Sequence, residues 1–257
     1  MKKGLKRISF GAGTLTAPLP PVMATVGTYD NANIITIGWT GILASTPPKT
    51  YISVRPSRHS HAMLRENPEF VINLPSVELA PEVDYCGIYT GAKVDKFEKC
   101  SLTKVKSEKV APPTIAECPI ALECRVCDVV NMGSHDVFVA DILSVSCRET
   151  VVDEKERICF DRADLLAYAH GEYYSLGEIV GRFGFSTDKE TKGALIRKSD
   201  RKTNEIKAEK SKKLDTGSAC DKKEPFYRAV AKGGRAKPKS DKGAPHGRRA
   251  KEKKNEK

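Results

Sequence analysis

The sequence lacks any continuous apolar run of about eighteen residues, the length that a membrane-spanning helix needs. The leading segment Met1–Gly13 is basic but contains no apolar stretch of the kind found in a signal peptide. These absences predict a cytoplasmic protein that does not enter a membrane. The eight cysteines are then expected to stay reduced, because disulfides are rare in that compartment.

Several nucleotide-binding and catalytic motifs are also missing. No Gly-x-Gly-x-x-Gly follows a predicted strand, since Gly177, Gly181 and Gly184 have the wrong spacing. This disfavours a Rossmann dinucleotide domain. The chain has no P-loop, no Gly-x-Ser-x-Gly and no His-Glu-x-x-His. We therefore predict no catalytic side chain of the nucleophile or metal-bound type.

Metal-binding patterns are nearly absent. Cys124 and Cys127 form a single Cys-x-x-Cys, and no second such motif or paired histidine completes a tetrahedral ligand set. On a strand, residues three apart face opposite sides of the sheet, which is poor geometry for a shared metal or a disulfide. We predict no metal site and interpret the two residues as buried free cysteines.

Positive charge is concentrated at one end of the chain. From Lys189 onward there are 24 basic and 10 acidic residues, a net of +14, which leaves 20 basic and 23 acidic residues before it, a net of −3. We predict a globular body over residues 1–188 and a basic, low-complexity tail over 189–257 that is disordered or only transiently helical. Only the tail is expected to bind nucleic acid or an acidic surface; the alternative is a solubilising extension.

The body contains many short segments with strand character and few with helical character. Its β-branched and aromatic runs, separated by turn residues, favour a mainly β fold that closes into an antiparallel barrel. A short helix is predicted after Ser60, helical pieces in Leu79–Phe97, and helix or irregular structure in Asp164–Tyr174. The predicted strands are Val22–Thr28, Asn33–Trp39, Thr50–Arg55, Phe70–Leu74, Ala121–Val130, Val137–Ser146 and Arg157–Phe160.

A cationic, hydroxyl-rich loop follows the third predicted strand. It contains Arg55, Ser57, Arg58, His59 and Ser60. Arginine is suited to phosphate because its planar guanidinium donates paired hydrogen bonds, and a helix that begins at Ser60 would add free amide groups. The loop therefore predicts a phosphate site, with an ordinary solvated basic loop as the alternative.

Polar and aromatic candidates for a flat ring lie on the second strand and farther along the chain. Asn33, Thr36 and Trp39 are the strand candidates, although Asn33 and Thr36 face opposite sides of an ideal strand. Lys96 is suited to a phosphate or a ring carbonyl, and His135 follows a predicted hairpin loop at Asn131–Ser134. The alternatives are a core tryptophan, a surface lysine and a structural histidine.

In their order and spacing, these motifs resemble the flavin reductase-like family, and most closely its flavoredoxin-like branch. The resemblance covers roughly residues 15–185. It is carried by Pro20-Pro21-Val22, Asn33-Ile34-Ile35-Thr36, Trp39, Ser45-Thr46-Pro47-Pro48, Arg55-x-Ser57-x-x-Ser60, Asn67-x-Glu69-Phe70-Val71-Ile72-Asn73-Leu74-Pro75, Asp95-Lys96-Phe97, Ala121-Leu122-Glu123-Cys124 and Gly133-Ser134-His135-Asp136.

The resemblance implies a six-stranded, antiparallel, Greek-key-like split barrel. It also implies a homodimer that binds FMN non-covalently near the subunit interface. Arg55, Ser57 and Ser60 would bind the phosphate, and Thr46 with Pro47 would flank the ring. The residues implied to line the flavin are Asn33, Trp39, Ser60, Lys96, His135 and Tyr168. Tyr173 and Tyr174 are alternatives to Tyr168.

The function implied is that of an FMN-dependent oxidoreductase. Electrons would pass from NADH, NADPH or a protein redox partner to an acceptor through the flavin, which supplies the redox chemistry. The first alternative is a flavoredoxin-type electron carrier without nicotinamide activity. The second, from another functional class, is a polyanion-binding protein that acts through the basic tail.

Overall fold

The computed structural model describes residues 7–187, so the predictions made for the tail over 189–257 lie outside the described residues. Seven strands form one antiparallel sheet in the order β2-β1-β5-β8-β9-β4-β3, and two short pairs, β6–β7 and β10–β11, lie apart from it. The strands are β1 Val22–Gly27, β2 Ala32–Ile37, β3 Thr40–Ser45, β4 Pro48–Val54, β5 Glu69–Leu74, β6 Lys104–Val105, β7 Thr114–Ile115, β8 Ile120–Asn131, β9 Asp136–Cys147, β10 Leu166–Ala169 and β11 Glu172–Ser175. The helices are α1 His59–Glu66, α2 Ala80–Ile88 and α3 Lys96–Lys99.

The large sheet is closed into a barrel by one bent segment. Strands β2 and β3 lie at opposite edges of the strand order, yet only Gly38 and Trp39 separate them in sequence. Two edges joined by two residues must lie close together, so the sheet curls round on itself. The Ser53 amide donates to the Trp39 carbonyl at 3.0 Å and extends the β3–β4 pairing to the bend. The predicted mainly β, antiparallel barrel is confirmed, although its sheet has seven strands instead of the six that the resemblance implies.

The barrel interior is filled by alternate residues of its strands. Val22, Ala24 and Val26 of β1 point inward, where they meet the buried side chains Phe70 and Phe138. The outer face of β1 and β2 is covered by α2 and α3 through a second cluster that includes Met23, Ile34, Val83, Cys86 and Phe97. Burial on both faces explains why β1 has an almost unbroken apolar sequence instead of an alternating one.

Most predicted strands and the helix that begins near Ser60 are confirmed with small shifts of their ends. Strand β3 was not predicted. The predicted strand Arg157–Phe160 is wrong, since Ile158 forms only an isolated bridge to Val152 and Phe160 begins a 3₁₀ turn. Residues 164–174, predicted as helix or irregular, contain the β10–β11 hairpin.

Two further predictions concern turns and cysteines. The hairpin loop between β8 and β9 is where it was predicted, and it places His135 at the start of β9. Cys124 is buried inside the barrel as interpreted, but Cys127 is exposed, so its predicted burial is wrong; the two residues lie on opposite faces of β8. Within residues 7–187 there is no helix of sufficient length and apolarity to cross a membrane. The same residues contain no group of three potential metal ligands.

Candidate functional site

Two neighbouring cavities lie beside β2 and the β4–α1 loop. The larger, of about 260 Å³, is lined by Leu19, Pro21, Ile35, Thr36, Ile37, Gly38, Trp39, Ser53, Val54, Arg55, Arg58, His135, Tyr168 and Tyr173. The smaller, of about 80 Å³, is lined by Asn33, Ile35, Ser57, Arg58, His59, Ser60, Cys86, Tyr89, Thr90, Gly91 and Lys96. Ile35 and Arg58 border both, so the two cavities are adjacent parts of one candidate site.

The smaller cavity collects the groups that recognise phosphate. Ser60 lies in the first turn of α1, is 1% exposed, and accepts a hydrogen bond from the Asn33 side-chain amide at 2.7 Å. Helix α1 begins directly after Arg58, and no side chain caps its first turn. The first backbone amides of a helix have no intrahelical partner and carry a partial positive charge, which favours an anion at this position.

Lys96 is the most informative residue of the smaller cavity. It is 4% exposed, and its Nζ donates to the carbonyls of Ile34 at 2.6 Å and Cys86 at 2.7 Å. Burial lowers the pKa of its ammonium group. Among the described residues it has no carboxylate partner within ion-pair distance. A buried cation with two of its three N–H groups bonded to carbonyls is suited to bind an anion with the third.

The larger cavity has an aromatic and cationic wall. The rings of Trp39 and His135 lie with centroids 4.6 Å apart at an interplanar angle of 44°, and Trp39 is 38% exposed. Burial, and secondarily the charge of Arg55, lower the pKa of His135, which keeps its imidazole neutral near pH 7. Its Nδ1 lies 2.9 Å from the Ser134 hydroxyl. Nε2 is therefore the ring nitrogen that remains for a ligand.

The C-terminal hairpin supplies two tyrosines to the larger cavity. Tyr168 is fixed by backbone hydrogen bonds to Leu19 in both directions, at 2.8 and 2.9 Å. Its ring packs 5.2 Å from that of Tyr173, whose hydroxyl donates to Asp84 at 3.1 Å. Tyr174 is exposed and borders neither cavity. The structure thus brings Tyr168 to the site, as predicted, together with Tyr173.

Thr36 and Arg55 have positions that refine the sequence prediction. Thr36 lies on the outer face of β2, where its hydroxyl donates to the Val83 carbonyl at 2.5 Å, so it borders the larger cavity with its hydroxyl already bonded. Arg55 borders the larger cavity only, whereas Ser57 and Ser60 border the smaller one. Arg58, which borders both cavities, is the arginine that the structure places with Ser57 and Ser60.

Thr46 and Pro47 are not brought to either cavity. They form the turn between β3 and β4, at the opposite end of β4 from Arg55. A strand of seven residues spans about 23 Å, so these two residues cannot flank a ring bound beside Arg55 of the same chain. A contact between them and a flavin stays a prediction that requires a second copy of the chain.

Sequence reasoning missed several residues that the structure places at the site. They are Tyr89, Thr90 and Gly91, whereas Arg58 and Tyr173 were among the sequence candidates. A Cβ atom on Gly91 would lie 2.1 Å from Oδ1 of Asn33, so only glycine lets the backbone pass this close to the Asn33 amide. Arg58 could be predicted because it lies in the basic loop, whereas no local sequence pattern predicts that Gly91 lies at the site.

Comparisons with known proteins identify the family and the fold. Residues 15–177 match the flavin reductase like domain family. The structure of flavoredoxin from Desulfovibrio vulgaris (Miyazaki F) is 30% identical, with a TM-score of 0.66 over 72% of this chain and 100% of that one. Flavoredoxin from Methanosarcina acetivorans is 24% identical, with a TM-score of 0.66 over 72% and 98%.

An uncharacterized protein of Archaeoglobus fulgidus is 38% identical over 133 residues, which cover 52% of this chain and 75% of the relative. The fold is that of the flavoredoxin-like split barrels. With the family match spanning more than half of the sequence, the chain belongs to the flavin reductase-like domain family, whose general class is that of flavin-binding oxidoreductases.

Proposed function

We propose that this protein binds FMN non-covalently across the two adjacent cavities and transfers electrons from a reduced nicotinamide or a protein donor to an acceptor. The observation that carries the proposal is the buried ammonium of Lys96, which has no carboxylate partner among the described residues and lies beside Ser60 at one end of an aromatic cavity. FMN matches this arrangement, because it has a flat ring at one end and a phosphate at the other.

The phosphate end of FMN fits the smaller cavity. Lys96, Arg58 and the hydroxyls of Ser57 and Ser60 offer positive charge and donors, and the first turn of α1 offers free amides. The approach of Gly91 to Asn33 keeps this end narrow. No described carboxylate borders this cavity, so nothing there would repel a dianionic group.

The ring end of FMN fits the larger cavity. Ile35, Trp39, Tyr168 and Tyr173 provide flat or apolar surface for stacking, and Arg55 with neutral His135 provides polar contacts at the edge. Bound FMN supplies the chemistry of accepting and releasing electrons. The protein residues hold the ring, donate hydrogen bonds to its heteroatoms and limit water around it.

The proposal is tested by the visible absorption spectrum of the purified full chain. We expect a yellow protein with flavin bands, which releases a compound of the mass of FMN on heating. A colourless preparation that stays without flavin bands after addition of FMN would overturn the proposal. Riboflavin binding without any preference for FMN would overturn the phosphate assignment alone.

The electron donor is decided by a second experiment. We propose a reduced nicotinamide as donor, and anaerobic addition of NADH or NADPH should then bleach the flavin bands without any other protein. Flavin that stays oxidised with both nucleotides but is bleached by dithionite would favour the carrier function instead.

We further propose that the active form is a homodimer. The residues Ile42, Leu43, Leu143 and Val145 on β3 and β9 are exposed in the single chain, and a second barrel would cover this apolar surface. A dimer is also the arrangement in which Thr46 and Pro47 can reach a flavin. Sedimentation of the full chain should give the mass of two copies, and a monomer at micromolar concentration would contradict this proposal.

A further inference from the structure

Two cysteine thiols meet beside the smaller cavity. Cys86 lies in the last turn of α2 and Cys100 directly follows α3, and their Sγ atoms are 4.0 Å apart. Cys86 is 1% exposed and borders the cavity, whereas Cys100 is half-buried. We propose that Cys86 and Cys100 form a reversible disulfide, which makes this pair a thiol–disulfide exchange site at the phosphate-binding end of the pocket.

The pair stands apart from the other thiols. Of the seven cysteines in the described part of the chain, only these two have sulfur atoms within 4.0 Å of each other. A disulfide has a sulfur–sulfur distance of about 2.05 Å, so the atoms must approach by about 2 Å. Cys100 follows a helix of only four residues and is partly accessible, so its segment is the one free to make most of this movement.

The exchange balances with a low-molecular-weight disulfide, RSSR, as oxidant. The Cys100 thiolate attacks RSSR, which forms the mixed disulfide Cys100–S–S–R and releases one RSH after protonation. The Cys86 thiolate then attacks the Cys100 sulfur, which closes the protein disulfide and releases the second RSH. Two protein thiols are oxidised and one RSSR is reduced to two RSH. Burial raises the pKa of both thiols, that of Cys86 to about 12, so the exchange is slow near pH 7.

The disulfide has a consequence for the candidate cofactor site. The carbonyl of Cys86 accepts a hydrogen bond from Nζ of Lys96 at 2.7 Å. The Cys100 amide donates to the carbonyl of Lys96 at 3.1 Å, so movement of the Cys100 segment toward Cys86 shifts Lys96 and disturbs the ammonium that faces the cavity. Oxidation should therefore weaken FMN binding. This expectation rests on the proposed function, whereas the disulfide itself does not.

The disulfide is tested by peptide mapping of the full chain. The protein is incubated with glutathione disulfide, quenched with N-ethylmaleimide and digested with trypsin without reduction. Cleavage after Arg65, Lys93, Lys99 and Lys104 places the two thiols on peptides 66–93 and 100–104. We expect these peptides as one cross-linked species that separates on addition of dithiothreitol.

Serine variants distinguish the pair from general oxidation. Cys100→Ser, at a half-buried position, should fold normally and abolish the cross-link, and Cys86→Ser should leave a stable glutathione adduct on Cys100. The matched control Cys159→Ser should cross-link like the wild type, because Cys159 lies outside both cavities. Persistence of glutathione on Cys100 in the wild type, or a cross-link of 66–93 to the Cys118 peptide instead, would overturn the proposal.

The effect on the cofactor is measured by titrating FMN into the reduced and the oxidised protein. We expect the dissociation constant to rise by roughly threefold to tenfold on oxidation, the size of a disturbed charge-assisted hydrogen bond. Equal affinity of both forms would overturn the coupling to Lys96 while the peptide map stands. Failure of both forms to bind FMN would overturn the proposed function instead.

Discussion

Lys96 is the residue at which ligand binding and protein stability are expected to oppose each other. Its ammonium is buried, is bonded to two carbonyls and has no described carboxylate partner. Lys96→Met should weaken FMN binding roughly tenfold to a hundredfold, since hydrogen bonds to charged groups contribute about 1.5–3 kcal/mol. The stability of the flavin-free protein should stay equal or rise, because methionine needs no desolvation of charge.

Two measurements on Lys96→Met separate these effects. Isothermal titration with FMN gives the loss of affinity, and urea unfolding of the flavin-free protein gives the stability. A variant that binds FMN like the wild type would contradict the assignment of Lys96 to the phosphate. A variant that loses both binding and stability would instead indicate that Lys96 is a structural link between β2 and α2.

Arg55 and Arg58 are expected to act on different parts of the flavin. Arg58 borders both cavities and Arg55 only the larger one. Arg58→Ala should therefore weaken FMN by about tenfold or more and riboflavin much less, because riboflavin lacks the phosphate. Arg55→Ala should weaken both ligands by a similar factor. Fluorescence titration of the two ligands against each variant checks this, and the opposite pattern would return the phosphate contact to Arg55.

At the scale of secondary-structure elements, the attachment of α1 to the barrel depends on Asp136. Its carboxylate accepts from Nδ2 of Asn131 and lies 2.7 Å from Nε2 of His61 on α1, and the hydrogen bond with His61 is the main cause of its lowered pKa. A carboxyl group whose pKa is lowered by folding stabilises the protein above its ordinary pKa of about 3.9. That stabilisation is lost as the pH falls through the lowered value.

Asp136→Asn should therefore be less stable than the wild type at pH 6, and the difference should shrink as the pH is lowered toward 3. Urea unfolding midpoints at a series of pH values check this. A difference that is the same at pH 6 and pH 3 would show that the carboxylate charge is not the cause. Asp128→Asn is a matched control, because Asp128 is exposed on β8 and bonds only to the next backbone amide.

The elements also show what local sequence can and cannot predict. Strands such as β1 and β5 can be predicted from sequence, because they are buried and therefore apolar, and turn residues flank them. Strand β3 was missed because half of it is exposed and it contains Gly41, so it has no core pattern. The β10–β11 turn was missed because its only sequence mark is the dipeptide His170-Gly171 inside an aromatic run. Both residues have the positive φ angles that a tight hairpin turn requires.

The candidate site is predictable in part for a similar reason. The basic loop proposed to bind phosphate is contiguous in sequence, so Ser57, Arg58 and Ser60 could be found from their chemistry alone. The rest is assembled from β2, α2, α3, β9 and the C-terminal hairpin, and no local pattern indicates that Tyr89 or Gly91 reaches it. Thr46 and Pro47 lie at the far end of β4 from Arg55, so their predicted contact with the ring cannot be judged within one chain.

At the scale of the whole molecule, the uneven distribution of charge suggests separate functions for the two parts of the chain. The body would bind FMN and the tail would bind polyanions. Residues 1–188 have a net charge of −3 and residues 189–257 a net of +14. If the tail binds polyanions, a chain that ends at Asp188 should keep the flavin spectrum and FMN affinity of the full chain. It should lose its affinity for a short DNA duplex.

Salt dependence provides the decisive control for the tail. Binding of the full chain to the duplex should fall steeply and linearly on a log–log plot against salt concentration, because each neutralised phosphate releases a counterion. FMN affinity should change far less, since the proposed phosphate contacts Ser60 and Lys96 are buried, where salt screens weakly. Equal DNA binding by the full and the shortened chain would contradict the tail as a polyanion-binding segment. If the full chain binds no duplex even at low salt, the charge of the tail is insufficient for DNA binding. The tail would then act as a solubilising extension.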